Sequence, residues 1–439
     1  MRLRIDRLIR LGAGYSLLLC VMPSKSAQKT TNVPIVQLRP PIPAGSLRKV
    51  ADYLQEPQQK TVAQPGALVP AFEQLLKLNS EPRSTPVHIL HFGDSHTASD
   101  DLTVTIRQLL KERFGDGGSG FSLAGHPFRD YRRFDVRGGG TMGWHAGGLL
   151  SPGADGYYGL GGVSISTHDA GQSVFINTDC NYLEIHYLQQ PGGGDLALFD
   201  GDKLLERFST AGDWAPGVVQ FRSKPGFHRF VLKTVTSRPV RLFGWVSDKE
   251  TGITYEALGI NGVEASVMLR WDEKMFSTYL QRRNPGLVVL AYGTNEAVDR
   301  GWNPEKYQAM FSALLQRIRR AIPTASILAI GPPDCWSKYR GTWRPLAGLD
   351  GIIEAQQTAC RENGCAFWDT RQRMGGTGSM RDWVHAGLAQ GDYVHFTPAG
   401  YRRLATALFL EMMRLYGQFV KIRAEISDSV SDGPANQDR

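Results

Sequence analysis

Three residues in this 439-residue chain stand in patterns that could carry out nucleophilic catalysis. Ser95 lies in the run 91–97 (HFGDSHT), directly after the apolar segment 87–90, and near the C-terminus residues 392–395 read DYVH. In such a set the histidine takes the serine proton, and the carboxylate fixes the imidazole tautomer and stabilises the imidazolium. The residues therefore predict a serine esterase with Ser95 as nucleophile, His395 as base and Asp392 as the orienting acid.

Four short blocks indicate the type of esterase. The Gly-x-Ser-x-Gly elbow of α/β-hydrolases does not occur in the sequence. Instead, the chain carries GDS at 93–95, LGING at 258–262, YGTNE at 292–296 and DYVH at 392–395. With these blocks the chain resembles the SGNH (GDSL-type) hydrolases.

This resemblance implies an oxyanion hole made of three donors. They are the backbone N–H of Ser95, the backbone N–H of Gly262 and the side chain of Asn295, with Gly259 as an alternative to Gly262. Glu296 stands where the family more often has aspartate, which leaves the role of Asn295 untouched. The family chemistry implies neither a metal ion nor an organic cofactor.

The elements around these blocks predict an α/β fold. Continuous apolar strands are predicted at 87–90, 286–291, 325–330 and 366–368, and helices at 100–114, 304–321 and 350–363. Such alternation indicates a parallel sheet with helices on both faces, which places its site at the carboxyl ends of the strands. Residues 116–120 are predicted to form a glycine loop, and a last helix is predicted after Pro398.

Between the first two blocks the pattern changes to short strands with glycine turns, from about residue 138 to 250. We expect an inserted all-β module there. It resembles the jelly-roll carbohydrate-binding modules of bacterial peptidoglycan O-acetylesterases. The module is expected either to bind glycan or to buttress the catalytic loops. Trp144, Trp214 and Trp245 are expected either to stack on sugar rings or to pack in the module core.

The N-terminus predicts export. Arginines precede the apolar stretch 11–22, and Ser24 and Ser26 offer a cleavage site, so residues 1–26 are predicted to be a signal peptide. The alternatives are lipidation at Cys20 and an uncleaved membrane anchor. The formal charge of +8 falls to +4 without this segment, and no dense basic tract remains, which argues against a nucleic-acid partner. We expect a location in the periplasm or cell envelope.

The predicted organisation is a signal peptide (1–26), a linker with short helices (27–84), a hydrolase domain in two parts (85–137 and 251–420), the inserted module (138–250) and a flexible tail (421–439). The resemblance implies a monomeric esterase that removes O-acetyl groups from a polysaccharide, namely the muramic acid O6 acetyl of peptidoglycan. The alternatives are a deacetylase or acetyltransferase for another bacterial polysaccharide, and a non-catalytic wall-binding protein.

Overall fold

The computed structural model describes residues 62–81, 85–299 and 301–431. The predicted signal peptide and the predicted linker with its short helices, as far as residue 61, lie outside these ranges. The strands β1 to β17 are, in chain order, Val62–Ala63, Val87–Gly93, Gly118–Leu123, Arg137–Gly140, His145–Gly148, Val163–Thr167, Ser173–Gln189, Asp195–Asp200, Lys203–Ser209, Ala215–Thr234, Val240–Asp248, Ile253–Gly259, Leu287–Ala291, Ser326–Ile330, Trp336–Tyr339, Thr342–Pro345 and Ala366–Trp368. The α-helices α1 to α10 are Val69–Ser80, Ser95–Ala98, Asp101–Phe114, Glu273–Arg283, Thr294–Val298, Pro304–Ala321, Leu349–Glu362, Thr370–Met374, Ser379–His385 and Pro398–Ser431. Two 3₁₀ helices span Pro65–Leu68 and Ala265–Leu269.

A six-stranded sheet forms the part of the protein that the sequence predicts to be a hydrolase domain. Its order is β1-β17-β14-β13-β2-β12, in which β1 is antiparallel to β17 and the other five strands run parallel. Val288 and Leu290 of β13 pack into the core under α4, α6 and α7. The alternate residues Leu287 and Val289 pack into the core under α1, α3 and α10. The predicted parallel sheet with helices on both faces is therefore confirmed.

A nine-stranded antiparallel sheet, formed by β3 to β11 and called the β module below, follows β2 and α3 in the chain. Its long strands β7 and β10 pair with each other from Ala215 to Lys233, with a bulge between Arg222 and Gly226. Residues from several strands, including Ile176, Leu198 and Leu232, fill a core of its own. The structure thus shows an all-β insert built as one connected sheet, and its assignment as a jelly roll stays a prediction.

Two boundaries differ from the sequence prediction. The glycine loop expected at 116–120 is partly strand, because β3 begins at Gly118 and pairs with β11 of the β module. The tail expected to be flexible from residue 421 is helical to Ser431. The reason is tertiary: Arg423 lies 2.8 Å from the carboxylate of Glu73, and Ile426 packs against the core on that face of the sheet.

The described residues also show whether the cysteines form disulfides. An exported chain would permit disulfides, but the four cysteines of these residues are buried and free: Cys180, Cys335, Cys360 and Cys365. Within the same residues, none of the helices combines the length and the apolar character needed to cross a bilayer.

A buried arginine joins the two sheets. The guanidinium of Arg283, at the end of α4, donates to both carboxylate oxygens of Asp248 in β11 at 2.6 and 2.9 Å. Its Nε donates to Glu256 of β12 at 2.8 Å. All three side chains are less than 10% exposed. Removing the arginine would leave two carboxylates buried without their cation, which is costly.

We therefore predict that Arg283→Met lowers the free energy of unfolding by about 3–5 kcal/mol. Urea unfolding of the variant, beside an Arg270→Met control at an exposed position, measures this loss. Equal stability of Arg283→Met and wild type would mean that the two sheets do not depend on this cation.

Candidate active site

The nucleophile candidate lies at the carboxyl edge of the parallel sheet. β12, β2 and β13 are neighbours, and Gly259, Gly93 and Ala291 stand side by side at their ends. Ser95 begins the short helix α2, two residues after Gly93. A Cβ at Gly93 would lie 2.1 Å from the Thr97 hydroxyl and 2.8 Å from the Ala291 carbonyl, so glycine is needed for this tight passage from strand to helix.

The structure brings together the three residues that the sequence predicted as a triad. Ser95 Oγ lies 2.9 Å from His395 Nε2, and His395 Nδ1 lies 2.8 Å from Asp392 Oδ2. With a proton on Nδ1 held by the carboxylate, the lone pair of Nε2 faces the serine hydroxyl. This geometry suits proton transfer from Ser95 to His395.

The carboxylate of Asp392 is held in its ionised form. Partial desolvation acts to raise its pKa, but hydrogen bonds outweigh this effect and lower the pKa below its usual value. The donors are the His395 ring and the backbone N–H groups of Val394 and His395, the last two at 3.0 Å. Asp392 is therefore a stable acceptor for the imidazole.

The glycine and asparagine predicted as oxyanion donors follow the two neighbouring strands. Gly262 lies three residues after the end of β12 at φ 69°, and its Cα faces open space. Gly259 is instead enclosed, because a Cβ there would lie 2.2 Å from the backbone nitrogen of Ala98. The half-buried Asn295 lies in α5 after β13 and donates one amide hydrogen to the Val263 carbonyl at 2.8 Å. An amide group carries two hydrogens, so the second can serve another acceptor.

Glu296 ties these two loops together. Its carboxylate accepts the backbone N–H of Ala265 at 2.8 Å and that of Gly293 at 3.0 Å. Burial raises the pKa of Glu296 to about 8, against the effect of backbone hydrogen bonds. The residue in which this block departs from the usual family sequence is thus a buried anchor for the segments that carry Gly262 and Asn295.

The ring of His96, beside the nucleophile, lies 5.3 Å from the ring of His395 but forms its hydrogen bond with another residue. Its Nδ1 lies 2.9 Å from the hydroxyl of Tyr401 in α10. Burial, aided by the charge of His395, lowers the pKa of His96 to about 3, so the ring stays neutral. The similarly placed His91 pairs with the Tyr255 hydroxyl at 2.7 Å. Both act as structural hydrogen-bonding residues.

The tryptophans of the β module divide into two groups. Trp245 is fully buried in the module core, and Trp144 packs against that core while its Nε1 donates to the Ser173 carbonyl. Trp214 is 50% exposed, and its ring stacks on Tyr157 with centroids 5.6 Å apart.

Sequence reasoning missed an aromatic and basic hairpin beside the triad. The strands β15 and β16 pair around Arg340 and Gly341, both at positive φ. This is the backbone of a tight two-residue hairpin turn. Alternating aromatic and basic residues around an Arg-Gly pair, WSKYRGTWRP at 336–345, were the signal available in the sequence.

Comparisons with known proteins found one family model and several solved structures that are similar to this chain. Residues 231–403 match the model of the GDSL-like lipase/acylhydrolase family, a range that contains Asn295, Asp392 and His395 and begins after Ser95. A solved structure described as "Peptidoglycan O-acetylesterase in action, 5 min" aligns at 26% identity with a TM-score of 0.69. The alignment covers 79% of this chain and 96% of that one. This share exceeds the hydrolase part alone, so the match extends into the β module.

More remote structures were also found. A family two carbohydrate esterase from Clostridium thermocellum with cellohexaose aligns at 14% identity and a TM-score of 0.30, over 63% of this chain and all of that one. The corresponding enzyme from Cellvibrio japonicus aligns at 10% identity and a TM-score of 0.28, over 64% of this chain and 98% of that one. No curated protein gave a significant match. The chain contains a GDSL-type (SGNH) acylhydrolase domain, and the protein is an esterase.

Asp94, a buried carboxyl beside the nucleophile, makes the stability of the protein depend on pH. Burial raises the pKa of Asp94 from 3.8 to about 7, although the His96 backbone N–H, the charge of His395 and the Thr294 hydroxyl favour the ionised form. Because the pKa of Asp94 is raised in the folded state, the contribution of this carboxyl to the stability of the protein is fully present below about pH 4. That contribution is lost as the pH rises through about 7. Asparagine has the same shape and stays neutral at every pH.

Asp94→Asn should therefore match wild-type stability near pH 4 and exceed it above pH 7, by a gain on the order of a few kcal/mol. Urea unfolding of both proteins between pH 4 and 8 measures this difference. A difference that does not change with pH would show that Asp94 ionises normally.

Proposed function

We propose that the protein is a serine acetylesterase that removes O-acetyl groups from a polysaccharide through an acetyl-enzyme on Ser95. The observation that carries this proposal is the continuous pair of hydrogen bonds from Ser95 through His395 to Asp392. We further propose the O6 acetyl group of muramic acid in peptidoglycan as the substrate. Its support is the solved peptidoglycan O-acetylesterase, which aligns over nearly its whole length.

In the proposed first half-reaction, Ser95 Oγ attacks the acetyl carbonyl carbon while His395 Nε2 takes the hydroxyl proton. The carboxylate of Asp392 stabilises the imidazolium that results. The tetrahedral intermediate then collapses: the bond from carbon to the sugar oxygen breaks, and His395 returns its proton to that oxygen. The sugar leaves with a free hydroxyl, and the acetyl group remains on Ser95.

The oxyanion of the tetrahedral intermediate needs donors that are already in place. We assign this role to the backbone N–H of Ser95, the backbone N–H of Gly262 and the free amide hydrogen of Asn295. Each such donor lowers the barrier by about 3–4 kcal/mol in well-studied enzymes. The open surroundings of Gly262, in contrast to Gly259, support this choice. Water then attacks the acetyl-enzyme with His395 as base, and acetate leaves.

We also propose that the β module contacts the polymer as a carbohydrate-binding module of the jelly-roll kind. The exposed ring of Trp214, held by its stack on Tyr157, supports this proposal, because flat aromatic faces bind the apolar faces of sugars. Action in the periplasm or cell envelope is part of the same proposal, and it rests on the signal-like sequence of residues 1–26.

We predict that Ser95→Ala and His395→Ala each lose about 10⁴-fold or more in kcat, and that Asp392→Ala loses somewhat less. The measurement is acetate release from O-acetylated peptidoglycan and from p-nitrophenyl acetate. Ser99→Ala, which removes a half-buried hydroxyl just beyond α2, is the matched control and should keep its activity.

Two results would overturn separate parts of the proposal. Activity close to wild type in Ser95→Ala would remove the mechanism. Faster release of acetate from acetylated xylan than from O-acetylated peptidoglycan would leave the mechanism standing and remove the proposed substrate.

A further inference from the structure

A short hairpin lies directly against the loop that carries Asp392 and His395. The hairpin, residues 336–345, is called the cationic hairpin below. The ring of Trp343 stacks on that of Tyr393 with centroids 4.6 Å apart, and the Trp336 ring lies 5.6 Å from it. The Trp336 backbone N–H also donates to the Tyr393 carbonyl at 3.0 Å. The hairpin is thus fixed to a residue between the acid and the base of the triad.

Three exposed cations project from this hairpin, and none of them forms an ion pair with a carboxylate of the described residues: Lys338, Arg340 and Arg344. The sequence from 335 to 349 contains no acidic residue. Asp334, just before it, is fully buried and accepts from the backbone of Gly378 and Met380. Local charge on this hairpin is therefore uncompensated.

The cations are held over aromatic rings rather than free in solvent. Lys338 Nζ lies 5.9 Å from the Trp343 centroid, and the guanidinium groups of Arg340 and Arg344 lie 5.4 and 5.9 Å from that of Tyr339. Cation–π contacts of this kind restrict the position of a cation without neutralising it. An anion that approaches the triad from this side therefore meets positive charge that is already oriented.

Two partly buried cations of the described residues differ from those of the hairpin, because their charges are paired within the chain. Lys249 binds the carboxylates of Asp116 and Asp179, each at 2.7 Å, and Arg241 binds Asp155 at 2.6 Å. These cations stabilise contacts within the chain. Exposed cations without an ion pair to a described carboxylate also occur elsewhere, for example Lys306, but the cationic hairpin places three of them beside the triad, where they can attract an external anion.

We propose that the cationic hairpin is a substrate subsite that binds carboxylate groups of an anionic acetylated glycan and so holds the acetyl ester at Ser95. This inference rests on the proposed function and narrows its substrate class to polymers with carboxylates near the acetyl group. Peptidoglycan belongs to this class, because its peptide stems carry free carboxylates.

The test is a charge-removing triple variant, Lys338→Gln, Arg340→Gln and Arg344→Gln, compared with wild type. The matched control removes three exposed cations from the helices α6 and α7: Lys306→Gln, Arg320→Gln and Arg361→Gln. Each protein is assayed on O-acetylated peptidoglycan, on the same material with its carboxylates amidated, and on p-nitrophenyl acetate. KM and kcat are measured separately at low and high salt.

We expect the hairpin variant to raise KM for native peptidoglycan about tenfold, as three exposed charge contacts would together. Its kcat/KM for p-nitrophenyl acetate and for the amidated polymer should stay at the wild-type value. The wild-type preference for the native over the amidated polymer should also shrink at high salt. The control variant should behave like wild type on all three substrates.

Two outcomes would overturn the inference without touching the proposed function. In the first, the hairpin variant hydrolyses native peptidoglycan with the wild-type KM. In the second, all three substrates lose kcat together, which would mean that the hairpin only positions the loop of Tyr393. If wild type releases no acetate from either form of the polymer but hydrolyses p-nitrophenyl acetate, the proposed substrate fails instead.

Discussion

The hydrogen bond between Ser95 Oγ and His395 Nε2 joins residues that are 300 positions apart, so it depends on the fold to bring them together. One partner is fixed at the end of β2, which lies between β13 and the edge strand β12. The other is fixed by the loop before α10, a helix that packs along α3 and the same sheet. A bond of 2.9 Å tolerates little drift, so both faces of the sheet must be well packed for the site to exist.

The parts that could be predicted are those whose signals are local. Apolar runs such as 286–291 have few structural options. The helix predicted at 304–321 has the observed bounds, and in the structure Asn303 caps it and Pro304 begins it. The triad was predictable because GDS stands at the end of the strand β2 and DYVH stands shortly before the helix α10. Parallel strands bring their carboxyl ends together at one edge of the sheet.

The parts that could not be predicted depend on distant partners. Residues 421–431 read as polar, and their helix is explained by two distant contacts, the ion pair of Arg423 with Glu73, 350 positions away, and the packing of Ile426 on the core. Arg283 reads as an ordinary helix-ending cation, yet it is buried between Asp248 and Glu256. The cations of the hairpin read as solubility charges, since nothing in the sequence shows that Trp343 stacks on Tyr393. The oxyanion roles of Gly262 and Asn295 and the jelly-roll identity of the β module stay predictions.

The most direct test of the central claim, that Ser95 becomes acetylated during turnover, is to capture the acetyl-enzyme. The protein is mixed with p-nitrophenyl acetate, quenched with acid within the first turnovers and digested, and its peptides are analysed by mass spectrometry. An activated ester makes acylation fast, so the intermediate accumulates. The account predicts one acetyl group on Ser95 that disappears once the ester is consumed and is absent from Ser95→Ala. Steady turnover with acetylation at another residue, or with no acetylated peptide at all, would contradict it.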